Sequence, residues 1–369
     1  MQKQILLIFF VCISVMGMAG GKLKIPSDYN IESRFHYGFI WPHHESMRYL
    51  QRGHIPAFDL RINRTMHIEN WAKLYRQPDL GIGFYHNNMQ WPDVLGKINA
   101  VYGFIKIPIY RKPRFFINYS FAFGTAFMSE YFDVKDNYFN IAIGSFTNVY
   151  LNFGMEAQAA ISNNLHFLLG IDLSHVSNGA IRKPNLGLNL PAINIGIKYS
   201  VNPQAINFRK KYVPDENIRK FDVLLIGSAG WKEIMPKGNT YFTSSFWVDA
   251  GYMITKKKRM GIGLDIFYDA SIVRRMERKE VDESVRRNKV RQGVHISYDL
   301  IFDKIYFTIQ TGYYLFVNWN DDINIYNRFG LRYHHNKFIY SLSLKTHLGR
   351  ADFIEWSIGY ALFQKNYKK

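Results

Sequence analysis

The sequence predicts an all-β protein, an antiparallel transmembrane barrel of the outer-membrane type with about 16 strands. One large barrel is the preferred closure, and two tandem eight-strand barrels are the alternative. Three observations carry this. Aromatic residues make up 17 % of the chain, with 29 Phe and 25 Tyr, yet mean hydropathy is only −0.19. After the first 19 residues no segment offers the 18 or more charge-free apolar residues of a helical span. Long segments instead alternate strictly between apolar and polar positions, as barrel strands do when one face meets lipid and the other a polar lumen.

The N-terminus reads as a secretory leader. Lys3 supplies a positive start, Ile5 to Val15 an apolar stretch, and Gly17 and Ala19 the small residues of a cleavage site placed after Ala19. Cys12 is the single cysteine, so the remaining ~350 residues hold no disulfide, zinc–cysteine or iron–sulfur site. No cofactor or metal is implied. Residues 20–205 are expected to form a first barrel half and 206–369 a second, connected through a stretch containing Pro203 and the basic run Arg209-Lys210-Lys211.

Alternation places the strands in order near 34–42, 54–63, 80–87, 99–110, 113–127, 148–160, 163–177 and 189–200. The second half continues near 220–232, 240–254, 258–272, 290–302, 304–318, 322–334, 337–348 and 352–363. The clearest case is 165–177. Its odd positions read Leu165, Phe167, Leu169, Ile171, Leu173, His175, Ser177, and its even positions include His166, Gly170, Asp172 and Ser174. Residues two apart share a face, and ten to thirteen residues suit a tilted membrane strand. The segment 64–79, with Trp71 and Tyr75, interrupts the pattern and reads as either a periplasmic helix or a miscounted element. Short connections such as Ser162-Asn163-Asn164 and His335-Asn336-Lys337 alternate with longer ones such as 128–147 and 178–188. Barrels keep short turns inside and long loops outside. With a periplasmic N-terminus, the seventh strand, 163–177, therefore ends at the external face.

The halves echo one another. Gly81-Ile82-Gly83 matches Gly261-Ile262-Gly263, Tyr150 to Gly154 matches Tyr326 to Gly330, and Ser174-His175 matches Thr346-His347. This is the pattern of a diverged duplication. Two residues after His347 stands Gly349, and alternation turns His347 inward, so the second half is expected to lack catalysis.

The chemistry concentrates in His175-Val176-Ser177-Asn178-Gly179-Ala180. A strand puts the imidazole of His175 and the hydroxyl of Ser177 on one face, where a base can activate a nucleophile. Both continue the apolar, lipid-facing side of their strand.

That run, followed by Pro184-Asn185-Leu186-Gly187 and an alternating final strand, resembles the PagL family of outer-membrane lipid A 3-O-deacylases over roughly residues 30–200. The resemblance implies a serine esterase that removes an ester-linked acyl chain from lipid A. Ser177 would be the nucleophile and His175 its base, with Asn178 and the Gly179 backbone supporting the oxyanion. The family's acid is a Glu 14 residues after the His, and Asn189 occupies that position. An amide can orient an imidazole but supplies no charge. Glu156 points into the lumen by alternation, whereas Glu130 and Asp133 in the long external loop stay open as acids.

The chain carries a formal charge of +18, which favours phosphate-bearing partners. An exported chain with no nucleic-acid motif points to lipid A and lipopolysaccharide head groups in the outer membrane, not to nucleic acid. Arg182 and Lys183 beside the site, and Arg274, Arg275, Arg278 and Lys279 in a predicted external loop, are the expected phosphate contacts. Lys256 to Arg259 reads as a solvated basic turn. His43-His44 with Glu45, and His334-His335, are metal-ligand residue types, but adjacent strand residues face opposite ways and both pairs read as loop or turn residues. The competing functions are a non-enzymatic porin or structural barrel, which loss of the Glu would favour, and an outer-membrane phospholipase.

Overall fold

The computed structural model describes residues 29–202 and 219–366, except positions 68, 283, 286, 287, 318 and 320–322. The leader at 1–19 and the connection around 206–218 lie outside the described residues. Among those described, sixteen antiparallel strands account for most of the chain. The first eight are β1 (Tyr29–Phe39), β2 (His54–Thr65), β3 (Asp79–Asn88), β4 (Lys97–Lys112), β5 (Phe115–Met128), β6 (Thr147–Ala160), β7 (Leu165–Ser177) and β8 (Leu188–Ser200). The second eight are β9 (Arg219–Glu233), β10 (Thr240–Thr255), β11 (Lys258–Asp269), β12 (Val290–Phe302), β13 (Ile305–Phe316), β14 (Ile325–His335), β15 (Phe338–His347) and β16 (Arg350–Asn366).

The strands close as two eight-strand barrels, β1–β8 and β9–β16. The preferred single ring of sixteen therefore gives way to its tandem alternative. β1 pairs with β8, Ile31 opposite Tyr199, and β9 pairs with β16, Ile226 opposite Gly359. Alternation dictates which face each residue takes but carries no information on which two edges meet. Closure at eight leaves an interior just wide enough for side chains to fill, and both lumens are filled in this way.

In the first barrel the inward row carries charge in matched pairs. Lys106 Nζ lies 2.5 Å from Glu32 and 2.9 Å from Glu156. Lys198 is 2.7 Å from Asp79, Arg61 is 2.8 Å from Asp59, and His36 is 3.0 Å from Asp172. Toward the site end these give way to a stack of Tyr85, Tyr102 and Tyr150, with ring centroids 5.2–5.5 Å apart. Buried charges persist only when paired, and here every strand offers its polar row inward to supply a partner. The outward row is apolar: Ile31, Phe35, Ile62, Ile82, Ile171, Ile193 and Ile195 are all exposed, as a lipid-facing band requires. Because the side-chain period is two, a register slip of one residue would turn the ion pairs toward lipid.

The second barrel repeats the scheme. Arg328 bridges Asp265 and Glu355, and Arg259 pairs with Asp222, Asp249 and Asp299 at 2.6–3.0 Å. The expectation of a solvated turn at Lys256 to Arg259 is corrected at Arg259. The turn is only Lys256-Lys257; β11 begins at Lys258 and carries Arg259 inward to full burial. A run of four cations hides this, since nothing in it distinguishes the last Lys of a turn from the first lumen residue of a strand.

The echoed motifs fall on equivalent strands of the two barrels. The paired glycine motifs fall on β3 and β11, the third strand of each barrel. The paired Tyr motifs fall on β6 and β14, the sixth, and the paired histidines on β7 and β15, the seventh. The segment 64–79 contains the short helix α1 (Asn70–Leu74). Another short helix, α2 (Pro92–Leu95), sits in the β3–β4 connection, and α3 (Ile272–Arg278) lies in the β11–β12 loop. The chain begins β1 five residues earlier than alternation suggested, at Tyr29, because Asn30 and Glu32 supply polar inward positions in a stretch short of apolar partners. The connections β1–β2, β3–β4, β5–β6 and β7–β8 of the first barrel share one end, where β7 finishes, and the β2–β3 connection that holds α1 is the long exception at the other end.

Candidate active site

Strand pairing brings the chemistry together. β7 and β8 are joined by a ten-residue connection and run antiparallel, so His175 stands directly opposite Asn189. Cross-strand neighbours on one face touch, and a 14-residue separation in sequence becomes a contact. The Nδ1 of His175 lies 2.7 Å from Oδ1 of Asn189, and its Nε2 lies 2.9 Å from Oγ of Ser177. The polarity is consistent throughout. Asn189 Oδ1 accepts the Nδ1–H proton, which leaves Nε2 as the lone-pair nitrogen facing the serine hydroxyl. Leu173, Ile171 and Leu169 continue the same outward face below the pair, exposed or half-exposed. Ser177 itself is 7 % exposed, covered by the β7–β8 connection.

That connection is held by hydrogen bonds from named side chains. The main-chain N–H of Asn178 donates to Asn185 Oδ1 at 2.9 Å, and its side-chain Nδ2 donates to Ser145 Oγ at 2.9 Å. Gly187 N–H donates to the Ala142 carbonyl, so two points tie the connection to the β5–β6 loop. Gly179 and Ala180 both take positive φ, +62° and +68°, which turns the chain sharply just after Ser177. Gly187 has φ +80° and packs on the imidazole. A Cβ there would come within 2.9 Å of His175 Cε1 and 3.3 Å of Ser177 Cβ. Glycine is required both by conformation and by this close approach.

Two family models match the chain, and both belong to one family. The model described as lipid A 3-O-deacylase (PagL) matches residues 57–198, and the acyloxyacyl hydrolase C-terminal domain, PagL_C, matches residues 219–365. The chain belongs to the PagL family. Its activity is deacylation of lipid A, the hydrolysis of an ester, on a barrel of the outer-membrane type. No curated protein matches the sequence. Among solved structures, Neisserial surface protein A is similar at 11 % identity and TM-score 0.32, over 47 % of this chain and 97 % of its own. The siderophore receptor PirA from Pseudomonas aeruginosa is similar at 9 % identity and TM-score 0.24, over 87 % of this chain and 56 % of its own. The Rh. blastica porin is similar at 9 % identity and TM-score 0.18, over 90 % and 99 %.

Within this PagL chain the other expected residues take clear positions. Glu156 lies in the lumen beside Lys106 and Arg34, as alternation required. Asp133 accepts the main-chain N–H groups of Lys135 and Asp136 and closes a turn; the acid position beside His175 is filled by Asn189. Residues 179–184 group with the second compact unit. Within that unit Arg182 is ion-paired with Glu233, and the Lys183 main-chain N–H donates to the same carboxylate at 3.0 Å. Burial pushes the Lys183 ammonium below its ordinary range. His347 faces inward, 3.1 Å from Tyr314 Oη. Arg275 pairs with Asp269 and Arg274 with Glu277. His44 turns to Ser46, and His334 stacks on Tyr306.

Sequence reasoning missed His43. It was read as a loop residue, and its Nδ1 lies 2.9 Å from Nδ2 of Asn189. No spacing rule links residue 43 to residue 189. Only the pairing of β1 with β8 brings them together. Ser145 was also missed, for the same reason.

Proposed function

We propose that this PagL-family protein is a serine esterase that cleaves the 3-O-linked acyl chain of lipid A in the outer membrane. Ser177 Oγ attacks the ester carbonyl while His175 Nε2 takes the hydroxyl proton. The tetrahedral intermediate collapses, the C–O bond to the sugar breaks, and His175 returns the proton to the leaving sugar oxygen. A water, deprotonated by the same nitrogen, then attacks the acyl-serine ester and releases the fatty acid and free Ser177. Asn189 holds the imidazole in the tautomer this requires. Asn178 and the Gly179 backbone support the oxyanion, and Asn185 and Ser145 hold Asn178 in place. Arg182 and Lys183 follow the nucleophile in sequence and contact lipid A phosphate.

The observation that carries the reading is the 2.9 Å contact from His175 Nε2 to Ser177 Oγ on a lipid-facing strand. A polar pair on that face is out of place for packing and well placed for an ester that never leaves the membrane. Conduction, the porin reading, is disfavoured by the filled lumen around Tyr85, Tyr102 and Tyr150. A fluorophosphonate, which esterifies only an activated serine, tests the assignment. Peptide mass mapping is expected to find the adduct on Ser177 and none in His175→Ala. Labelling elsewhere, or equal labelling of both proteins, would refute it. Charge reversal at Arg182 and Lys183 is expected to raise KM for phosphorylated lipid A and leave that for a dephosphorylated analogue unchanged.

A further inference from the structure

A carboxylate beside a catalytic histidine has two equivalent oxygens, so either rotation of the group presents an acceptor. The amide of Asn189 does not. With Oδ1 toward His175 it accepts the Nδ1–H proton and leaves Nε2 free to act as base. Rotated by half a turn, it would present Nδ2–H to Nδ1, force the proton onto Nε2, and abolish the base. The productive rotation therefore needs a group that selects it.

We propose that His43 is that group, a positioning residue for the deacylation, which accepts a hydrogen bond from Asn189 Nδ2 and so holds Oδ1 against His175. The inference rests on the serine-esterase reading above. Its geometry is a directional chain. Ser177 Oγ–H donates to His175 Nε2 at 2.9 Å, His175 Nδ1–H donates to Asn189 Oδ1 at 2.7 Å, and Asn189 Nδ2–H donates to His43 Nδ1 at 2.9 Å. With His43 in its Nε2–H tautomer each link satisfies the donor and acceptor roles of the next, and in that tautomer reversing Asn189 would break two of them together. The backbone independently tethers His43. β1 pairs with β8 up to Gly38 opposite Ala192, and beyond the strand the Trp41 N–H donates to the main-chain carbonyl of Asn189 itself at 2.8 Å. The neighbouring polar groups are engaged elsewhere, His44 with Ser46 and Glu45 with Arg48. His43 and Asn189 thus act as one unit where the family pattern has a single Glu.

The test is a double-mutant cycle on the full-length protein in detergent micelles, with purified lipid A as substrate and released hydroxy fatty acid as readout. His43→Ala is expected to lower kcat about tenfold with KM unchanged, the scale of one lost orienting hydrogen bond. In an Asn189→Glu background, where the acceptor is symmetric, the same His43→Ala change is expected to leave kcat within about twofold. Asn189→Asp provides the same symmetric background in a shorter side chain, so the cycle does not depend on one variant folding. An equal loss in both backgrounds would mean a merely structural role and overturn the proposal, as would full kcat in His43→Ala alone. Ser177→Ala run alongside separates the two readings. An inactive Ser177→Ala with an unaffected His43→Ala removes only the role of His43, whereas an active Ser177→Ala removes the esterase mechanism and the role of His43 with it.

Discussion

The two barrels share strand order, inward ion pairs and a histidine near the end of the seventh strand, but in only one of them does that histidine meet a serine hydroxyl. The difference lies in the connection that follows that strand. In the first barrel ten residues separate β7 from β8, enough to fold over Ser177 and to return a glycine, Gly187, onto His175. In the second, β15 and β16 are joined by Leu348 and Gly349 alone, both at positive φ (+45° and +87°). This is the tight hairpin that two left-handed residues make, and it leaves no chain to cover a nucleophile. On β15 the alternation runs unbroken through the buried Ser343, Lys345 and His347, so this histidine falls on the lumen face. One loop length and one residue of phase along the seventh strand thus separate a lipid-facing histidine beside a serine from a lumen histidine beside a tyrosine.

The sharpest way to break this comparison is at His175. His175→Ala is expected to reduce turnover by about 10⁴-fold, as in other serine hydrolases deprived of their base, while His347→Phe in the second barrel leaves it within about twofold. Equal losses would mean that both barrels contribute catalysis. Gly187→Ala comes next. The added Cβ strains a positive-φ position and presses on the imidazole, and a fall in kcat of roughly 10- to 100-fold is expected from a misplaced base. An unchanged rate would show that the connection is not what holds His175. Asn189→Glu is expected to raise kcat about tenfold, since a carboxylate stabilises the imidazolium that forms and the amide does not. In the wild type, turnover falls at acid pH, because an imidazolium cannot accept the serine proton. Asn189→Glu moves that acid limb to higher pH, because the carboxylate favours the protonated ring. An acid limb that does not move would place Asn189 outside the relay.

Much of this was legible beforehand. Alternation in 165–177 and 189–200 put His175, Ser177 and Asn189 on one outward face, and the counting of connections put them at the long-loop end. Asn189 was reached through the family resemblance, which places an acid 14 residues after the His, and the pairing of β7 with β8 supplies the physical reason for that spacing. What could not be read depends on contacts between distant strands. Closure at eight rests on the meeting of β1 with β8, which no periodicity encodes. The partnership of His43 with Asn189 follows from that same closure and was hidden with it. Arg259 was assigned to solvent because the preceding lysines mask the start of β11 at Lys258, and only the acids on the neighbouring strands, Asp249 and Asp299, reveal that it must turn inward.

Mass spectrometry of lipid A from cells producing the wild type or Ser177→Ala tests the central claim most directly. The account predicts loss of one hydroxyacyl mass with the wild type and intact lipid A with Ser177→Ala. Deacylated lipid A from both, with the variant folded in the membrane, would contradict it.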